Sequence, residues 1–78
     1  MDVKPDSTLD CTGLACPMPI LKTKKAVDAL QVGQILKMIA TDPGSVKDVE
    51  AWASRTGHQL LGHEENSGKY TFYIKRTK

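Results

Sequence analysis

Leu9-Asp10-Cys11-Thr12-Gly13-Leu14-Ala15-Cys16-Pro17-Met18-Pro19 marks a change of period in the chain. On its N-terminal side, Ser7 to Cys11 is a short strand candidate with Leu9 as its apolar residue. Thr12-Gly13-Leu14-Ala15 is a loop of mostly small residues. Beyond it, Ile20, Thr23, Val27 and Leu30 recur at helical spacing, with Ala26 and Ala29 filling in. Lys22, Lys24, Lys25 and Asp28 fall mostly off that stripe. Pro17 and Pro19 fit a helix only in its first turn, where backbone N–H groups have no intrahelical partner. The spacing therefore predicts a helix that starts at or just after Cys16 and ends before Gly33, a terminating glycine.

Working outward, Gln34 to Ala40 is rich in Ile, Leu and Met and reads as a buried strand. Thr41-Asp42-Pro43-Gly44-Ser45 predicts a second helix start, with Asp42 as N-cap and Pro43 at the first helical position. Val46, Val49, Trp52 and Ala53 form its apolar stripe, and Gly57 stops it. Gln59 to Glu64 is a strand, Glu65-Asn66-Ser67-Gly68 a turn, and Lys69 to Lys75 a second strand. In that last strand Tyr70, Phe72 and Ile74 fall on one face and Thr71, Tyr73 and Lys75 on the other. The order is β-α-β-α-β-β. A strand–helix–strand start predicts a parallel pair with a right-handed crossover. The fold expected is an α/β (α+β) two-layer sandwich: a four-stranded mixed sheet with two helices on one face. Both helix N-termini then follow the C-terminal ends of parallel strands. That brings Cys16 toward the Thr41–Ser45 turn, at the edge where open α/β sheets carry their chemistry.

A chain of 78 residues makes one domain, too small for a dinucleotide-binding domain or a barrel enzyme. Residues 1–6 are polar and expected to be a flexible N-terminus, leaving 7–78 as a single domain. No apolar run approaches the ~18–20 residues of a membrane span, and the N-terminus has no apolar signal region. A cytoplasmic protein is expected. The net charge of +2 is spread evenly, with +1 in each half and only a short basic end at Lys75-Arg76-Thr77-Lys78. Stable nucleic-acid binding, which needs a stronger basic excess, is not expected.

Chemistry concentrates on Cys16. A thiol at a helix start faces unpaired N–H groups and the positive end of the helix dipole, which lower its pKa by about one unit. Asp42, close by, offsets part of that. A cysteine hydrolase would need a histidine base and an orienting group beside the thiol. His58 and His63 are the only histidines, and nothing aims either at Cys16. Thioredoxin-like chemistry would need a second cysteine three residues downstream, as in Cys-x-x-Cys, whereas Cys11 lies upstream. An activated thiol without machinery around it suits a carrier that is loaded and unloaded by partners. Cys11 itself has three readings: a bystander, a resolving partner for Cys16, or a second transfer site. No metal site is expected, because His58 and His63 are five apart in a strand and point to opposite faces. Lys22, Lys24 and Lys25 are candidates for a docking surface for acidic partner patches.

The run Leu9 to Pro19 resembles the Leu-Asp-x-x-Gly-Leu-x-Cys-Pro-x-Pro signature of the TusA/SirA sulfur-carrier family, and Ala40 to Asp48 is similar to the second-helix start of its members. The resemblance covers Leu9 to Lys75. It implies that Cys16 accepts sulfane sulfur as a persulfide, or a thiosulfonate. Pro17 and Pro19 at the first helix start, and Asp42 at the second, are the residues expected to support the site on the reading of the residues themselves. The resemblance implies no cofactor beyond that covalent group. Donors would be a cysteine desulfurase or a rhodanese, and acceptors DsrE-like or other sulfur-accepting proteins, in tRNA thiolation or sulfur oxidation. Two other readings of the residues stay open: an RNA-binding or regulatory α/β module, and a thiol redox sensor using Cys11 and Cys16.

Overall fold

A computed structural model of the chain describes residues 4–14 and 18–78. The elements are β1 (Ser7–Cys11), α1 (Met18–Asp28), β2 (Ile35–Ala40), α2 (Ser45–Thr56), β3 (Gln59–Asn66) and β4 (Lys69–Lys75). They form the expected β-α-β-α-β-β order in one sheet of strand order β1-β2-β4-β3. β1 and β2 are parallel, while β4 is antiparallel to both of its neighbours. α1 packs on β1 and β2, α2 packs on β3 and β4, and the helices touch each other.

The alternation of the strands makes the core. Cys11, Leu36, Met38, Ala40, Phe72 and Ile74 are fully buried beneath Val27, Val49, Trp52 and Ala53 of the helices. Among the described residues no helix is long and apolar enough to cross a membrane.

Several boundaries differ from the expectation, each for a local reason. α1 ends at Asp28, well short of Gly33. The chain turns through a Leu30 N–H bond to the Val27 carbonyl, and Gly33 instead donates its N–H to the Arg76 carbonyl, opening β2. Gln34 stays in that turn, its side chain accepting from the Gln31 N–H. α2 begins at Ser45 with Gly44 as N-cap, not at Pro43 with Asp42 as cap. The Asp42 carbonyl accepts from the Ser45 N–H, an i→i+3 turn, and the first i→i+4 bond runs from Asp48 N–H to the Gly44 carbonyl. β3 continues to Asn66, so the hairpin loop is only Ser67-Gly68. Both loop residues have positive φ, 52° and 81°, the type I′ pattern that suits two-residue hairpins.

Tyr73, on the face opposite Phe72 and Ile74, is also buried, at 8% exposed. It lies in the interior strand β4, flanked by Lys37 and by Gly62 next to a bulge in β3, on the helix-free face of the sheet. An interior strand shields its side chains from both sides, which strand alternation alone does not report.

Candidate thiol site at the C-terminal edge of the parallel strands

β1 and β2 end together, with Cys11 paired to Ala40. The segments that follow leave the sheet side by side: 12–14 toward α1, and Thr41 to Gly44 toward α2. Cys16 and Pro17 lie between Leu14 and Met18, outside the described residues. The surroundings on both sides of them are described.

The segment leading to Cys16 is held by three backbone donors. Thr12 N–H donates to Asp10 Oδ1 at 2.9 Å, Gly13 N–H to Thr41 Oγ1 at 2.9 Å, and Leu14 N–H to the Cys11 carbonyl at 3.2 Å. The bonds from the Thr12 amide and hydroxyl hold the Asp10 carboxyl below the usual range, and Lys69 adds to that. Asp10 and Thr12 also border a concavity of ≈ 310 Å³ on the helix-free face, whose walls include Lys37, Lys69 and Thr71.

Past the gap, Met18 opens α1 and Pro19 is its second residue, within the first turn where its missing N–H costs nothing. Pro19 is buried, and its carbonyl accepts from the buried Thr23 hydroxyl at 2.7 Å. Asp42 folds over its own turn. Its Oδ1 accepts from the Gly44 N–H at 3.0 Å, and its carbonyl accepts from the Ser45 hydroxyl at 2.6 Å. It therefore builds the turn ahead of α2 and does not cap the helix through its side chain.

Cys11 is a free thiol, fully buried at the end of β1. Burial pushes its pKa up, with Lys22 opposing and Asp10 adding to the rise. A thiol that resists ionisation is a poor nucleophile, since the thiolate is the reactive form.

Lys22, Lys24 and Lys25 are exposed on α1. They share a surface hollow of ≈ 440 Å³ with Met18 and Leu21, which are 43% and 54% exposed. Met18, Leu21, Lys22 and Lys25 recur at i, i+3, i+4 and i+7, one face of the helix. The sequence reading followed only the apolar stripe toward the core and missed Leu21. The same period applied to the solvent side would have found it.

The histidines serve elsewhere. His58 precedes β3, stacks on Trp52 with ring centroids 5.5 Å apart, and accepts the Thr77 N–H on Nδ1 at 3.2 Å. Its pKa is lowered by burial and by Arg76 and Lys78, with Asp28 opposing. His63 lies against Phe72 across the β3–β4 pair, at a centroid distance of 5.9 Å.

The family model described as sulfurtransferase TusA matches residues 7–76. The chain belongs to the TusA family. It is 51% identical over 72 residues to the sulfur carrier protein TusA of Allochromatium vinosum, covering 92% of this chain and 95% of that one. It is 49% identical to a putative sulfur carrier protein of Halobacterium salinarum, covering 91% and 89%. A crystal structure of a SirA-like protein from Desulfitobacterium hafniense superposes with a TM-score of 0.79, covering 92% and 99% at 23% identity, which speaks for the fold. The Cys-Pro-x-Pro run of this chain ends on Met18 and Pro19, the first two residues of α1.

Proposed function

We propose that this protein carries sulfane sulfur as a persulfide on Cys16 and passes it between partner proteins, without a cofactor beyond the covalent group. The observation that carries this reading is the 51% identity, over nearly the full length of both chains, to a protein named as a sulfur carrier. The contrast between the two cysteines supports it. Cys11 is buried and pushed toward the neutral thiol, so Cys16 is the candidate left for thiolate chemistry.

The step balances without an oxidant or reductant. The Cys16 thiolate attacks the terminal sulfur of a persulfide on the donor. The donor's S–S bond breaks, a new S–S bond forms on Cys16, and the donor cysteine departs as thiolate. Delivery repeats the step with Cys16 as the leaving thiolate. Thiol exchange of this kind needs a leaving group of low pKa and an accessible sulfur, and no general base. Donors would be a cysteine desulfurase or a rhodanese, and acceptors DsrE-like or other thiol proteins, serving tRNA thiolation or sulfur oxidation in the cytoplasm. The solvent face of α1 supports such encounters. It pairs the exposed Met18 and Leu21 with Lys22 and Lys25, suited to an acidic surface around a donor cysteine.

Intact mass after incubation with a cysteine desulfurase and cysteine tests the reading. A gain of about 32 Da, one sulfur atom, is expected. A loss of about 2 Da under oxidant, with no loading, would mark a redox sensor using both thiols. No change under either condition would return the chain to a regulatory or RNA-binding module.

A further inference from the structure

The segment that leads to Cys16 is anchored twice by its own neighbours and once from a distance. The Thr12 and Leu14 amides bond to Asp10 and Cys11, two and three residues back. The Gly13 amide instead donates to the hydroxyl of Thr41, 28 residues away in the chain. Thr41 follows the last residue of β2, which is paired with the last residue of β1. Its half-buried side chain thus links the two loops at the point where they leave the sheet. Gly13 has φ +79°, and a Cβ there would meet no atom within 4 Å. Glycine is therefore suited to the position by backbone conformation and not by crowding. That left-handed turn aims the amide at Thr41.

We infer that Thr41 is a positioning residue for Cys16, fixing through the Gly13 amide the segment that presents the thiol. This rests on the reading of Cys16 as the sulfur-bearing residue. Gly13 is three residues before Cys16, so its anchor confines the Cys16 Cα to within about 11 Å even for a fully extended chain. Met18, the first residue of α1, confines it from the other side. Only four residues of chain separate these two points. Without the Thr41 bond the first fixed point retreats to Cys11 and the local turn around it.

The test compares the unmodified chain with Thr41→Val, which keeps the shape and removes the acceptor, and Thr41→Ser, which keeps the hydroxyl. The measurement is the pH profile of iodoacetamide alkylation at Cys16, localised by mass spectrometry. Loss of one hydrogen bond corresponds to a factor of about 2–10 in the population of the held loop. Thr41→Val is expected to slow alkylation at pH 7 by that factor and to move the profile to higher pH. Thr41→Ser is expected to restore both, an outcome that a merely structural role of the threonine methyl would not give. A Thr41→Val profile that superimposes on the unmodified chain overturns the inference, as does a Thr41→Ser profile that matches Thr41→Val. Should Thr41→Val fail to fold, hydrogen exchange of the Gly13 amide in the unmodified chain decides. Protection is expected, and exchange at the free-peptide rate overturns the tether. The two readings fail separately. A chain that shows the Thr41 dependence but takes no sulfur from a persulfide donor overturns the carrier proposal alone. A chain that loads sulfur equally well with threonine or valine, with superimposed alkylation profiles, overturns the positioning role alone.

Discussion

The two ends of the sheet are built in opposite ways. At the end where α1 and α2 finish, the last residues of the chain act as a strap. Arg76 exchanges backbone bonds with the Gly33–Gln34 turn at 2.7 and 2.9 Å. Its guanidinium donates to the carbonyls of Val27, Asp28 and Leu30, closing the C-terminus of α1. Thr77 does the same for α2, donating its hydroxyl to the Gly57 carbonyl at 2.6 Å and its amide to His58. Gly57 at φ 82° ends α2 with its own N–H on the Ala53 carbonyl. At the other end, where the helices begin, the bond from the Gly13 amide to the Thr41 hydroxyl joins the two loops. The comparison teaches where rigidity is placed. Orphan carbonyls at helix C-termini are satisfied by protein groups, so that end is closed. At a helix N-terminus the first backbone N–H groups have no intrahelical partner, and at α2 the Gly44 and Ser45 amides turn back to Asp42.

Arg76→Ala breaks the closed end most severely. It removes a cation that serves three carbonyls, a loss of about 1.5 kcal/mol after allowing for partial exposure. The expected Tm decrease is roughly 6–12 °C for a domain of this size, read by thermal denaturation. Arg76→Lys should recover only part of it, because an ammonium lacks the planar fork of donors. Sulfur loading of the folded variant at low temperature should be unchanged, since the strap is at the opposite end from Cys16. A Tm change under about 2 °C would mean that the bonds at the strap are replaced by water at little cost.

How far the sequence could be read follows the same division. The elements, their order, the parallel first pair and the core stripes of both helices were legible, because period and turn chemistry are local signals. Arg76 and Thr77 were legible only as a short basic end. Their partners named above lie 19–49 residues away, and a side chain bonding a distant carbonyl leaves no periodic trace. Asp42 was expected to cap α2 because Asp-Pro is a common start. The Pro43-Gly44 turn moved the start two residues on, and the carboxylate went to its own turn. Thr41 carried no signal, since a threonine after a strand has no distinctive pattern. Cys16 was singled out by Pro17 and Pro19 around it, and the burial of Cys11 narrows the choice between the two thiols.

At the open end, reversing charge on α1 with Lys22→Glu and Lys25→Glu together should sharpen the contrast. Both side chains are exposed, so Tm should stay within about 2 °C. The association rate with an acidic persulfide donor should fall by about tenfold at low salt, measured by stopped flow, with the difference shrinking as salt rises. An unchanged rate would place the docking surface elsewhere.

The smallest effect concerns pH at the closed end. His58 accepts the Thr77 amide only while its Nδ1 is unprotonated, and its pKa is lowered from the ordinary 6.5. The folded state therefore favours the neutral ring. Its contribution is present above pH 6.5 and lost as pH falls through the lowered value. The Tm should decline over that window, and the Thr77 amide resonance should titrate with it. His58→Gln, which can still accept from Thr77, should flatten the decline. A Thr77 amide that does not respond to pH would show that His58 has no part in the strap.

The central claim is that one of the two cysteines bears sulfur and the other belongs to the core. Cys16→Ser and Cys11→Ala are incubated side by side with a cysteine desulfurase and cysteine, and their intact masses are compared. Alanine is chosen at position 11 because a serine hydroxyl there would be buried in an apolar cluster. The account predicts a gain of about 32 Da on Cys11→Ala and none on Cys16→Ser. Sulfur on Cys16→Ser, with none on a folded Cys11→Ala, would contradict it.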